Sequence, residues 1–227
     1  MTTENVLSAE ATSGLSPVQL GGKWLAESAH ICAFFSSPDD EYRALLSFIK
    51  SGLAAGEKSF HTVDPRRTVE HLNQLLAAEI DVDGLRERGQ LELRDWNQVH
   101  LRGGTFDVDG ACELFAGVRQ DAQARGFART RFISHMGWCA SRFDDVDQLL
   151  DYEAQANASF AEARPPCQVV CIYDLSLFRA DLVIDVMRTH PLVLVGSTLY
   201  ENPFCVAPEE MRRELAQRRE LRTRTEP

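Results

Sequence analysis

His61 and His135 are the side chains whose type and position offer the most chemistry. His61 lies in the run Ser59-Phe-His-Thr-Val63, with Asp64 directly after it. His135 closes the run Thr130-Arg-Phe-Ile-Ser-His135, and Trp138 and Cys139 follow. Imidazole and carboxylate groups are ordinary transition-metal ligands, so His61 and His135, with Asp64, Glu41 or Cys139, are the candidate metal ligands. They equally suit the few polar fixing groups of a small-molecule pocket. Covalent catalysis has no support: there is no Gly-x-Ser-x-Gly elbow and no His-Glu-x-x-His, and no enzyme is expected.

The turn Ser36-Ser37-Pro38-Asp39-Asp40-Glu41 excludes another chemistry. It joins an apolar strand, Ala29 to Phe35, to a helix from Tyr42 to Ala55. A phosphate-binding loop at such a point supplies glycines and a lysine, so that bare N–H groups cradle phosphate. This turn has neither, and three carboxylates occupy the first helical turn, where they satisfy the helix dipole and repel a polyphosphate. Ser37 is the N-cap, Pro38 takes the first helical position, and Asp40 stands where a capping-box acid belongs.

The elements that hold these residues alternate along the chain. Strand patterns at Ser59–Val63, Gly89–Trp96, Thr130–Met136, Cys167–Asp174 and Leu192–Gly196 are separated by helical patterns at Thr68–Ala78, Asp109–Arg125, Asp145–Glu162 and Ala180–Thr189. Apolar strands between helices indicate an α/β fold, with a mostly parallel sheet covered on both faces. One domain over residues 24–207 is expected, after a disordered polar leader (1–23) and before an Arg- and Glu-dense helix or tail (208–227). That tail is a solvated helix or a docking or dimerising one.

With 44% hydrophobic residues in 227, the chain can bury a full core, and its net charge of −10 argues against a dedicated nucleic-acid surface. No apolar run is long enough to cross a membrane, and no secretory signal begins the chain, so a cytoplasmic location is expected. The six cysteines (32, 112, 139, 167, 171, 205) include no Cys-x-x-Cys. They read as buried thiols, and a structural zinc site is not expected.

In parallel sheets ligands gather at the carboxyl ends of the strands. Those ends supply Phe35, Ser36 and Ser37, with Glu41 and Tyr42 in the helix start beyond; then His61 and Asp64; then His135 and Trp138; then Tyr173 and Asp174. These eleven residues are the candidate ligand site. His30 and His190 lie at the opposite, starting ends, where a structural or partner-facing role is expected.

Several segments together resemble one known family. They are His30-Ile-Cys-Ala-Phe-Phe35, Pro38-Asp-Asp-Glu-Tyr-Arg43, His61-Thr-Val-Asp-Pro65, Leu101-Arg-Gly-Gly104, His135-Met-Gly-Trp138, Tyr152-Glu-Ala-Gln-Ala-Asn157, Cys171-Ile-Tyr-Asp174, Arg188-Thr-His-Pro191 and Asn202-Pro-Phe204. The resemblance is to the MEDS family, the sensory domain of methanogens, methylotrophs and the DcmR regulator, and it covers about Ala29 to Glu210. It implies a RecA/KaiC-like fold without the phosphate-binding loop and the sensing of small organic, hydrocarbon-derived or C1-type molecules. It also implies output to a histidine kinase, an anti-sigma-type protein or a transcription regulator. The flanking stretches are too short for a DNA-binding or kinase module, so a free-standing sensor acting through a protein partner is expected. Homodimerisation is one option, with no direct nucleic-acid contact. The family pattern often has an acidic residue where this chain has Gly137. The alternatives are a degenerate KaiC-like nucleotide-binding protein and a metal- or haem-dependent sensor.

Overall fold

Strands that are apolar at nearly every position must be covered on both faces, and Ala29–Phe35 and Cys167–Asp174 meet that requirement at the centre of a sheet. The computed structural model describes residues 15–140 and 146–225. The chain runs β1 (Val18–Leu20), β2 (Lys23–Leu25), β3 (Ala29–Phe35), α1 (Pro38–Ala54), β4 (Lys58–Val63), α2 (Thr68–Ala77), α3 (Val82–Glu87) and β5 (Leu91–Asp95). It continues through α4 (Trp96–Val99), α5 (Val108–Ala124), β6 (Thr130–His135), α6 (Val146–Ala161), β7 (Cys167–Asp174), α7 (Ala180–Met187), β8 (Leu192–Val195), β9 (Thr198–Glu201) and α8 (Pro208–Thr225). Seven strands form one sheet in the order β5-β4-β6-β7-β3-β8-β9, with every pair parallel except the edge hairpin β8–β9.

Side chains alternate across a strand, and this alternation sorts the sheet into two cores. Cys32, Phe34, Phe60, Phe132, Val169, Cys171 and Tyr173 face a layer containing α5, α6, α7 and α8. Ile31, Ala33, Phe35, Ile133, Val170 and Ile172 face α1, α2, α3 and the small hairpin. By the same phase His61 and His135 belong to the α1–α2 side, whereas His30 and Tyr173 belong to the α6 side. No described helix is long and apolar enough to cross a membrane.

The expected helices and strands lie within a residue or two of the observed ones, apart from α1, which begins at Pro38 and not at Tyr42. The first residue of the expected helix Asp145–Glu162 falls outside the described residues. The elements not anticipated are α3, α4, β9 and the β1–β2 hairpin. The hairpin corrects the leader boundary, because Val18 and Leu20 are buried rather than part of a polar lead-in. Residues 1–14 of that leader lie outside the described residues. Gly21-Gly22, both at positive φ, make the two-residue turn between paired Leu20 and Lys23. The Gly21 carbonyl then accepts the Leu199 N–H at 3.0 Å, docking the hairpin on the β9 edge. The 208–227 segment is helical to Thr225, and it buries Met211 and Leu215 in the α6 core.

A Cβ at Gly21 would lie 2.5 Å from the backbone nitrogen of Leu199, while one at Gly22 would meet nothing. Both positions carry the left-handed backbone penalty, about 1 kcal/mol, but only Gly21 adds a backbone clash. Gly21→Ala is expected to destabilise the fold by about 1–3 kcal/mol more than Gly22→Ala. Urea unfolding of the two variants measures this, and equal midpoints would count against the hairpin's docking.

Candidate functional site

At the carboxyl ends of β4, β5, β6 and β7 lies a cleft of about 370 Å³ lined by Arg66, Trp96, Leu101, Gly137, Trp138, Ala140 and Leu177. Its position is the one that parallel-sheet geometry favours for ligands, and its size is at the small end of ordinary ligand pockets. Trp96 opens α4 behind the Asp95 capping box, and the Gly137–Cys139 turn holds Trp138. A Cβ on Gly137 would press to 3.3 Å on Trp96 and 3.4 Å on Leu177, so an acidic side chain there would intrude on the cleft wall. Arg66, the cleft's one charged side chain, stands over the Trp96 ring and pairs with Asp64 at 2.7 Å. Behind the wall, His100 stacks on Trp138 with centroids 5.1 Å apart, and Phe106 and Tyr152 complete the aromatic group.

This aromatic group carries an unusual load. Trp138 Nε1 and both ring nitrogens of His100 are buried with no hydrogen-bond partner among the described residues. A buried polar atom left unpaired costs about 1–3 kcal/mol, so three beside one cleft call for an explanation.

From Asp64 a hydrogen-bonded relay leads to the other face of the sheet. The Asp64 N–H points at His135 Nδ1 (3.4 Å), and His135 Nε2 lies 2.7 Å from Glu41 Oε1. Arg67 reaches the other Glu41 oxygen at 3.2 Å. Beside this pair, Ser59, His61, His71 and Tyr42 form a second chain with contacts of 2.8, 2.8 and 2.9 Å. In either donor direction this chain is satisfied with both imidazoles neutral. Burial, then the neighbouring His135, lowers His71 to about 3, and burial with His71 and His135 holds His61 well below its usual value. Burial alone would raise Glu41, but His135 and Arg67 bring it below the usual carboxylate range. Ligand atoms of Glu41, His71 and His135 lie within 4.8 Å of one another, but both His71 nitrogens and the His135–Glu41 contact are already committed to hydrogen bonds.

Of the eleven residues read from the sequence, Glu41, Tyr42, His61, Asp64 and His135 meet in this relay, and Trp138 lines the cleft. The others do not join them. Ser37 caps α1, donating to Asp40 at 2.8 Å, and Phe35 packs in the α1 core. Ser36 is exposed, and Asp174 closes a turn by accepting from Ser176. Tyr173 points to the opposite face, where it donates to Glu153 at 2.5 Å. His30 and His190 do sit at strand starts, but burial rules out a partner-facing role for both: each lies within 3.4 Å of Glu153. His71, His100 and Glu153 escaped sequence reading. The available signal was a titratable residue at a core position of its element.

Comparison with known proteins gives a consistent picture. The model of the family described as MEDS, the methanogen/methylotroph, DcmR sensory domain, matches residues 29–191. The transcriptional repressor DcmR of Methylorubrum extorquens (strain DSM 6343 / CIP 106787 / DM4) is 23% identical over 181 residues, 80% of this chain and 65% of the repressor. The chain thus spans a little under two-thirds of that relative's length. The solved KaiC-like protein PH0186 of Pyrococcus horikoshii OT3 superposes with a TM-score of 0.51 at 13% identity, covering 78% of this chain and 72% of its own, a likeness of fold.

The buried imidazoles set an acid limit on stability. Unfolded, they take up protons near pH 6.5; folded, His71 does so only near 3, His100 near 4 and His61 far below 6.5. The unfolded state therefore binds more protons between those values, and stability is lost as pH falls from 6.5 to 4, by up to about 1.4 kcal/mol per unit for each ring. The midpoint of thermal unfolding is expected to be flat above pH 7 and to drop steeply below 6. An unchanged midpoint at pH 5 would mean the rings are not buried neutral.

Proposed function

Because the chain belongs to the MEDS sensory-domain family, we propose that its cleft at the strand ends binds a small, largely apolar organic molecule and that occupancy regulates a transcription or signalling partner. The observation that carries this reading is the set of unpaired buried atoms beside the cleft. A free protein that leaves Trp138 Nε1 and both His100 nitrogens unsatisfied has a strained aromatic wall. A ligand whose polar group accepts from Trp138 Nε1 would relieve part of it, with Trp96, Leu101, Trp138 and Leu177 enclosing the apolar part and Arg66 reaching an acceptor. That combination fits hydrocarbon derivatives and C1-type compounds. It does not fit nucleotides, whose phosphates would face Asp39, Asp40 and Glu41 at the start of α1.

Two routes lead from the cleft. One runs from Arg66 through Asp64 to His135 and Glu41 on α1. The other runs through Tyr152 to α6 and so to α8, which is tied down by Arg219 to Asp147, Arg188 to Glu214 and Arg218 to Asp185. A ligand that stabilises one arrangement of this wall over another shifts what α6 and α8 present to the partner.

Thermal shift against a panel of small haloalkanes, alcohols, aldehydes and carboxylates tests the reading. A binder at ten times its Kd stabilises by about 1.4 kcal/mol, a shift of about 3–5 °C for a chain of this size. It should also change tryptophan emission, since two of the three tryptophans line the cleft. His100→Phe is expected to raise the midpoint of the free protein, by removing two unpaired nitrogens, while cutting ligand affinity at least tenfold. A panel with no shift, or a His100→Phe variant that keeps the full ligand response, would contradict the proposal.

A further inference from the structure

We infer that His30, Glu153, Cys171 and His190 form a tetrahedral transition-metal site, for which zinc is the best-fitting ion, inside the α6 face of the sheet. The four come from four elements. His30 and Cys171 project from the neighbouring central strands β3 and β7, Glu153 descends from α6, and His190 lies in the turn between α7 and β8. All four are buried, at 0–2% exposure.

Their spacing is that of a coordination shell. Zinc bonds of about 2.0–2.1 Å to nitrogen, 2.0–2.2 Å to oxygen and 2.3 Å to sulfur, opened to tetrahedral angles, separate the ligand atoms by about 3.3–3.6 Å. Here Glu153 Oε2 lies 3.2 Å from His30 Nε2 and 3.4 Å from His190 Nε2, while Cys171 Sγ lies 3.5 Å from His30 Nε2 and 3.9 Å from Glu153 Oε2. All four ligand atoms fall within 4.8 Å of one another.

Hydrogen bonding fixes the orientation of the lone pairs. His190 Nδ1 lies 2.9 Å from the Val186 carbonyl, which can only accept, so Nδ1 carries the proton. In the neutral ring Nε2 is then a bare lone pair aimed at a carboxylate, and it has no hydrogen-bond partner among the described residues. A cation between the two removes that repulsion. Tyr173 donates to Glu153 Oε1, leaving Oε2 for the cation. Carbonyl and hydroxyl partners of this kind are the outer shell that orients metal ligands.

Charge and ligand softness select the ion. A dication with the Glu153 carboxylate and the Cys171 thiolate, flanked by two neutral imidazoles, is a neutral unit, as a dry interior demands. Binding would release the Cys171 thiol proton to solvent. Calcium and magnesium prefer all-oxygen shells, whereas a mixed nitrogen, sulfur and oxygen set suits zinc or cobalt(II). With four protein ligands the site is closed, so its role is to lock β3, β7, α6 and the α7–β8 turn together. The spacing of the cysteines in the sequence pointed away from zinc because the ligands are gathered by the fold and not by a local motif.

The test uses the full chain, stripped with chelator and titrated with zinc and with cobalt(II). One equivalent of zinc should bind and raise the unfolding midpoint. Cobalt should give intense visible bands of a tetrahedral ion together with a thiolate charge-transfer band in the near ultraviolet. Cys171→Ser should abolish the charge-transfer band, while Cys139→Ser keeps it. Tyr173→Phe, which leaves all four ligands, should weaken zinc binding about 10–100-fold. Failure to bind a stoichiometric metal would overturn the inference. So would a cobalt spectrum without the thiolate band, which would place the ion at a site such as Glu41, His71 and His135, or a thiolate band unchanged in Cys171→Ser, which would place it at another cysteine.

Discussion

A carboxylate cut off from water must be neutralised where it stands, and the arrangement of this domain's α6 face follows from how Glu153 is answered. His30 from β3, Tyr173 from β7 and His190 ahead of β8 all converge on it. Three adjacent central strands are thereby keyed to one residue of α6, which sets the height and rotation of that helix over the sheet. The aromatic wall follows, because Tyr152, next to Glu153, packs on His100 and Phe106 behind the cleft. Helix α8 follows too, since it lies on α6 through Met211 and Leu215 and is anchored to α7 through Asp185. Hydrophobic area alone would let α6 slide by small increments; a buried charge with directed partners does not.

The two faces of the sheet hold two different solutions to buried imidazoles. On the α1 side, His61 and His71 complete each other's hydrogen bonds and remain neutral, with Ser59 and Tyr42 closing the ends. On the α6 side, His30 and His190 face an acid, with their Nε2 atoms 3.2 and 3.4 Å from Glu153 Oε2. The first arrangement is a self-sufficient chain beside the Asp64–His135–Glu41 relay that runs from the cleft to α1. The second is the cluster to which we assign a cation. The cleft lies between them: it borders the relay through Arg66 and Asp64, and α6 through Trp138 and Tyr152.

The sheet and most of its helices were legible because parallel strands buried on both sides are written as apolar runs, and α1 and α5 carry their own caps in Ser37 and Asp107. The hairpin, α3, α4 and β9 were not, being three to six residues long, too short for a period to register. Within the site, Glu41, His61, Asp64 and His135 were legible as strand-end and helix-start residues. Tyr173 was placed with them because strand ends were read without strand phase; counting alternate residues along β7 sends it to the α6 side. His71 and Glu153 sit inside amphipathic helices, where a pattern of apolar positions absorbs them. Glu153, flanked by Leu149, Leu150, Ala156 and Phe160, was detectable as an acid on the buried face of a helix.

Hydrogen exchange of the full chain, comparing the native protein with Glu153→Gln, tests most directly whether this one carboxylate organises the α6 face. Glutamine keeps the shape and can still accept from Tyr173, but it removes the charge that His30 and His190 answer. The account predicts that α6, the α7–β8 turn and α8 lose protection together, while α1 and α2 keep theirs. Loss confined to the turn around residue 153, or unchanged protection in α8, would contradict it.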